Sequence, residues 1–357
     1  MPSSENRVVI ACAGSGKTAK LVKESLACQG RRAAIITYTN NNANEIIKRF
    51  GSENSGVPKH VDVLTWFGFL LKECARPYQR SKYTDKRIES LVFVNRQSTR
   101  GIAENRTGPH YFAKGNLIYS DKIAKFVIEC ESKSKQSVSA RLSQIYSDIF
   151  IDEFQDLAGW DLEVINMLFL SGIRITIVGD PRQTIYSTNS SPKNKQYRGV
   201  GIVNLVEKWE RKGLCSREPL NGTYRCNQAI CNLANRLWSE MDPMVPLQEN
   251  LTGHDGVFLV AENRVNEYMR RFNPQVLRYD KRAKSVGNEG LNFGTAKGLQ
   301  FNRVLIVPTG PIKKYLETGD AATLTSKEKL YVAVTRARHS VAFVFDGKAT
   351  IDSSRFP

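Results

Sequence analysis

The sequence predicts an α/β protein of two tandem, doubly wound domains with parallel sheets. Three observations carry this. Short β-branched runs alternate with helix-like stretches along most of the chain, the pattern of buried parallel strands joined by crossover helices. A glycine-rich turn follows the first apolar run, at Ala11-Cys-Ala-Gly-Ser-Gly-Lys-Thr18. A small, polar stretch at 187–201, rich in Ser, Asn and Gly, then separates two sets of runs like a hinge.

In the first set, strands are expected at Arg7–Ile10, Ala34–Thr39, Asp148–Asp152 and Arg174–Gly179, with helices at Ala19–Cys28, Asn42–Phe50 and Leu162–Leu170. The second set has strands at Gly256–Ala261, Gln275–Tyr279, Leu291–Thr295, Arg303–Pro308 and Ser340–Phe345, separated by helices such as Asn227–Ser239 and Lys327–Thr335. Domains are thus expected over 1–190 and 200–357. Residues 72–145 hold 15 Lys/Arg against 7 Asp/Glu with little strand pattern, and read as a small, mostly helical basic insertion in the first domain.

The 357 residues carry a net charge of +17, from 52 Lys+Arg against 35 Asp+Glu. Such an excess attracts polyanions, nucleic acid first among them. The seven cysteines include no C-x-x-C pair, which argues against zinc, and as an odd number of scattered thiols, one inside the glycine-rich turn, they fit a reducing cytoplasm. The first residues show no basic start followed by an apolar stretch, and no apolar run approaches the roughly 18 residues of a membrane span, so a cytoplasmic protein without membrane partners is expected.

The chemistry begins at the glycine-rich turn. A strand, a turn and Lys-Thr opening a helix form a phosphate cradle: backbone N–H groups around Ala13, Gly14, Ser15 and Gly16 face a polyphosphate, and the helix adds its positive end. Lys17 would reach the β/γ-phosphates and Thr18 would meet Mg²⁺. Ala11 stands where the strict pattern has Gly. Further on, Ile149-Phe-Ile-Asp-Glu-Phe-Gln-Asp156 is a strand ending in adjacent carboxylates, suited to holding the metal (Asp152) and deprotonating water (Glu153). Ile177-Val-Gly-Asp-Pro-Arg-Gln-Thr-Ile-Tyr186 repeats that logic with an amide, Gln183, able to sense a γ-phosphate. Leu220-Asn-Gly-Thr-Tyr-Arg225 and Tyr331-Val-Ala-Val-Thr-Arg-Ala-Arg338 each bring an arginine from the second domain.

With these segments the chain resembles the superfamily 1 helicases of the UvrD/Rep type. The motifs Ala13-Gly-Ser-Gly-Lys-Thr18, Thr37-Tyr-Thr-Asn-Asn41, Leu64-Thr-Trp-Phe67, Asp152-Glu-Phe-Gln-Asp156, Gly179-Asp-Pro-Arg-Gln183, Thr223-Tyr-Arg225, Thr295-Ala-Lys-Gly-Leu-Gln-Phe301 and Val334-Thr-Arg-Ala337 occur in family order. The resemblance implies two RecA-like domains with ATP and Mg²⁺ between them and single-stranded DNA across both. It implies Asp152 as metal partner, Glu153 as general base, and Gln183 as a link from γ-phosphate to DNA. Arg225 and Arg336 would be arginine fingers, Tyr224 would stack on adenine, and Gln300 stands at a ribose-contacting position. Thr37, Tyr38, Thr39, Asn40, Thr65, Trp66, Tyr186 and Lys297 fall at DNA-contact positions, although Trp66 and Phe67 read equally well as core, and Lys297 as a loop cap.

Several features depart from the family. Its adenine-reading Gln segment has no counterpart ahead of the phosphate loop, which leaves adenine specificity open. Thr188 replaces a base-stacking aromatic, Gly294 a common His, and Gln300 a Glu. Only about fifty residues separate Ser239 from Leu291, where the family carries a large accessory subdomain. The expected activity is DNA-stimulated ATP hydrolysis driving 3′-to-5′ movement on single-stranded DNA. A nuclease or other DNA-processing partner is expected, in repair or anti-phage defence. The alternative is an ATP-gated DNA-binding subunit without processive unwinding.

Overall fold

The computed structural model describes residues 5–28, 30–185, 188–189, 191–286 and 290–357. They form two compact units: Met1–Ile10, Lys17–Pro181 and Tyr186–Glu218 in the first, and Ala11–Gly16, Arg182–Ile185 and Pro219–Pro357 in the second.

The first unit is built on a six-stranded sheet. Its strands are β1 (Arg7–Ala11), β2 (Ala33–Thr37), β3 (Val61–Thr65), β6 (Asp148–Asp152), β7 (Arg174–Gly179) and β8 (Ser216–Leu220), in the order β3-β2-β6-β7-β1-β8. Every residue of β2 and β6 is buried, as expected where helices cover both faces of a parallel sheet. Helix α1 (Lys17–Leu26) turns Leu21 and Val22 inward, and α2 (Asn40–Asn54) buries Ile46 and Phe50. The fully buried Asn6 knits the strand starts together: Nδ2 donates to Phe169 O (3.1 Å) and Leu214 O (3.0 Å), and Oδ1 accepts from Ile175 N (3.0 Å).

After β3 the chain runs through α3 (Trp66–Phe69) and a π-helical turn, Leu70–Ala75, into the insertion. The insertion is less helical than its composition suggests. Helices Ile123–Lys133 and Ser137–Ile145 are present, but β4 (Ser90–Val92) and β5 (Leu117–Tyr119) pair in parallel, and irregular chain fills much of 82–106. Helix Ile202–Arg211 belongs to the first unit, where Trp209 meets Phe169 edge-on at 5.2 Å. The division between units follows Glu218, later in the chain than the boundary expected at 200.

The second unit holds β9 (Gly222–Thr223) paired with β10 (Val245–Pro246), and another six-stranded sheet. That sheet comprises β11 (Gly256–Val260), β12 (Gln275–Arg278), β13 (Leu291–Asn292), β14 (Phe301–Val307), β15 (Ala337–Val344) and β16 (Ser354–Arg355), all parallel, in the order β13-β12-β14-β15-β11-β16. The stretch from Ser239 to Leu291 supplies β10, β11, helix Val265–Phe272 and β12, so among the described residues these core elements stand where an accessory subdomain was expected to be missing.

One aromatic stack closes this second core. The His254 ring lies against Phe258 and Phe272, with centroids 3.9 and 3.6 Å away, and its Nε2 is 2.9 Å from the Tyr268 hydroxyl. Burial, reinforced by Arg303 and Arg271 and opposed by Asp255, pushes its pKa down from 6.5 to about 4. Since the folded state disfavours the proton, His254 contributes fully above pH 6.5, and its contribution is lost as pH falls through about 4. The melting temperature is therefore expected to fall across this window. In His254→Phe, which keeps the stack and removes the titration, the fall should be shallower, as thermal denaturation against pH would read.

Candidate functional site

Parallel pairing brings the carboxyl ends of the first-unit strands to one edge of the sheet, where open α/β sheets bind ligands. Lys17 and Thr18 open α1 there, and β6 ends in Asp152 followed by Glu153. The Thr18 hydroxyl donates to Asp152 Oδ2 at 3.0 Å, and Asp152 Oδ1 accepts the Glu153 N–H at 2.9 Å. Burial, and then the neighbouring Glu153 charge, hold the Asp152 carboxyl above its usual range, while Lys17 and Thr18 oppose the rise. Glu153 sits in left-handed backbone, φ 59° and ψ 38°, which non-glycine residues seldom adopt and which costs on the order of 1–3 kcal/mol.

A residue given no role by the sequence secures that turn. Gln155, buried, donates from Nε2 to Glu153 Oε2 and accepts the Asp180 N–H at 3.1 Å. It thereby ties the acid to the turn after β7. Gly179 is required beside it, since a Cβ there would lie 2.2 Å from Gln155 Oε1 and 2.6 Å from Phe154.

In the second unit, the Ala11–Gly16 segment turns through Gly14 (φ 75°) and Gly16 (φ 80°). Gly14 O accepts the Tyr224 N–H at 3.0 Å, and a Cβ on Gly14 would come within 2.6 Å of Arg225 Cβ. The Ala13 N–H donates to the Tyr331 hydroxyl at 3.3 Å, and Arg182 covers the Tyr331 ring at 5.3 Å while donating to Ala11 O at 3.2 Å. The Ser15 hydroxyl is buried with no hydrogen-bond partner among the described residues. Arg336, also buried, donates to Gln183 Oε1 (3.0 Å), Val332 O (3.1 Å) and Leu299 O (3.2 Å). Arg225 donates from Nη1 to Thr335 O at 3.1 Å, and its buried Nε has no partner among the described residues. Tyr224 is 63% exposed, and Gln300 is exposed in the chain ahead of β14.

The expected nucleic-acid contacts separate into two groups. Tyr38, Thr39, Asn40 and Asn41 follow β2 on the accessible side, with the Thr39 hydroxyl accepting the Asn42 N–H (3.1 Å) to cap α2. Thr65 caps α3 by accepting the Gly68 N–H at 3.2 Å, and Lys297 is half-buried in the turn after β13. Thr37 is buried and its hydroxyl has no partner among the described residues; Tyr186 lies outside the described residues.

Trp66 requires correction. It is buried rather than a stacking platform, because its indole Nε1–H donates to Asp161 Oδ1 at 2.8 Å. The Thr188 hydroxyl binds the other Asp161 oxygen at 2.5 Å and accepts the Ala158 N–H at 3.0 Å. Thr188 therefore has a structural use where the family carries an aromatic. Asp161, fully buried and pushed up to about 6 by burial against these two hydrogen bonds, was missed because an Asp opening an apolar helix reads as an ordinary helix start. Trp66→Phe keeps an aromatic ring but removes the indole N–H that meets the Asp161 carboxylate. It is expected to destabilise the protein by about 1–3 kcal/mol in chemical denaturation, whereas an exposed platform would show no such loss.

Comparison with known proteins is consistent with this geometry. Residues 110–194 match the UvrD/REP helicase N-terminal domain. The chain is 29% identical over 244 residues to Gabija protein GajB of Bacillus cereus (strain VD045), a match spanning 64% of this chain and 46% of GajB, so it corresponds to about half of that relative. The fold is also that of the Arterivirus nonstructural protein 10 helicase solved in complex with DNA, at 15% identity and a TM-score of 0.51, covering 98% of this chain and 62% of that one. With two parallel six-stranded sheets, the chain has the fold of tandem RecA-like domains, and over residues 110–194 it is similar to the UvrD/REP helicase N-terminal domain.

Proposed function

We propose that this protein is an ATP-dependent translocase on single-stranded DNA, moving 3′ to 5′ and working with a nuclease or other DNA-processing partner. The observation that carries the reading is the acidic turn after β6: a buried Asp152 bonded to Thr18, and a Glu153 in left-handed backbone whose carboxylate accepts from Gln155. Costly backbone is kept where an acid must be aimed, and the adjoining Asp152 bonds Thr18 at the opening of α1. The likeness to GajB favours a defence setting over repair.

The residues fit a magnesium-bound nucleoside triphosphate. Two left-handed glycines, an unpaired buried Ser15 hydroxyl and Lys17 suit a polyphosphate, and the Thr18–Asp152 oxygens suit a hard cation. The bound cation would neutralise phosphate charge. Glu153 takes the proton of the attacking water, and Gln155 keeps its carboxylate oriented. Gln183 and Arg336 report on the γ-phosphate as a hydrogen-bonded pair, with Arg225 as the second cation. Tyr224 offers an exposed ring to the base, and Gln300 and Lys297 complete the assignments to ribose and DNA.

Lys17→Ala and Glu153→Gln should both abolish turnover by different routes. The first loses nucleotide affinity; the second retains it, since shape survives and only the base is removed. Equilibrium binding of a fluorescent ATP analogue, beside steady-state hydrolysis, separates the two, and near-normal turnover in Glu153→Gln would overturn its role.

Opening a base-pair step costs about 1.4 kcal/mol on average, and the 239–291 stretch is spent on core elements. The purified protein is therefore expected to move along single strands yet to unwind tailed duplexes poorly unless a partner is added. Strand-displacement assays with 3′- and 5′-tailed duplexes check both polarity and dependence on a partner.

A further inference from the structure

The insertion brings one large apolar side chain into solvent. Phe93, directly after β4, is 69% exposed. Its backbone is pinned on both sides: the Ser120 N–H donates to Val92 O at 3.0 Å, and the Val94 N–H donates to Ser120 Oγ at 3.1 Å. The ring is therefore presented by a fixed strand end. One edge of it meets Phe67 at 5.3 Å between centroids and 85° between planes, and Phe67 lies 6.1 Å from Tyr38. Three rings thus step from the carboxyl end of β2, past α3, to the insertion.

Leaving a phenylalanine exposed forgoes roughly 1.5–3 kcal/mol of burial, so its retention calls for an occupant. Charge indicates which one. Lys86, Arg87, Arg96 and Arg100 are all exposed on the same irregular stretch, and the insertion as a whole carries about twice as many cations as acids. An open aromatic face on a stretch rich in phosphate-seeking cations is the kind of surface that single-stranded nucleic acid uses, stacking a base while phosphates meet the charges. We propose that Phe93 is a base-stacking platform for single-stranded DNA, extending the Tyr38 side of the interface onto the insertion. This rests on the single-strand reading above and adds a contact to it.

The test compares full-length wild type, Phe93→Ala and Phe93→Tyr on oligonucleotides carrying 2-aminopurine at successive positions, by anisotropy and fluorescence quenching. Phe93→Ala should bind about 5- to 100-fold more weakly and lose the quench at one oligonucleotide position. Phe93→Tyr should restore both, and ATP hydrolysis without DNA should be the same in all three. If wild type binds DNA and Phe93→Ala binds it equally well with an unchanged quench pattern, the platform is refuted while the single-strand reading stands. Loss of protein partner binding without loss of DNA binding refutes it equally, as does an equal defect in Phe93→Tyr. Failure of the wild type to bind single strands overturns both readings.

Discussion

Two adjacent carboxylates at the buried end of a strand are the constraint around which the first unit is arranged. A like-charge pair removed from water binds protons more readily, and Asp152 responds in that direction. The chain answers with three devices at one sheet edge: the Lys17 cation, the Thr18 hydroxyl on Asp152, and the Gln155 amide on Glu153. None of them works unless β1 and β6 end at the same level. Parallel pairing of both with β7, Arg7 opposite Thr176 and Asp148 opposite Arg174, provides that alignment.

The turn after β7 draws its shape from the same constraint. Gln155 can reach Asp180 only because Gly179 has no side chain. Three positions beyond Asp180, Gln183 is the partner of Arg336 within the second unit. Buried arginine is tolerated where its fork is satisfied, and Arg336 meets the backbone carbonyls of Val332 and Leu299 as well as the Gln183 amide. The proposed sensing of a γ-phosphate therefore concerns groups already bonded to one another and stiffly held.

Strands buried on both faces were legible because they consist of β-branched runs: β6 and β7 match their expected bounds residue for residue. The margin strands of the first sheet were not. β3 contains Asp62 and is mostly half-buried, and β8 reads Ser-Arg-Glu-Pro-Leu, with charges and a proline that an edge strand accepts and a central one does not. In sequence the insertion reads as mostly helical because its cations obscure the short β4 and β5. In the candidate site, motif spacing points to the acids and the glycines, but no spacing shows which aromatic faces inward. Trp66 is held inside by Asp161, ninety-five positions away, while Phe93, outside every motif, stands exposed. Such assignments depend on tertiary partners.

The central claim is that the acidic turn serves a nucleotide hydrolysis coupled to single-stranded DNA. Its most direct test is steady-state ATP hydrolysis by the purified wild-type protein with Mg²⁺, measured across a titration of single-stranded DNA and again with blunt duplex or none. The account predicts hydrolysis that needs the metal and rises severalfold or more with single strands alone. Hydrolysis indifferent to DNA, or none under any of these conditions, would contradict it.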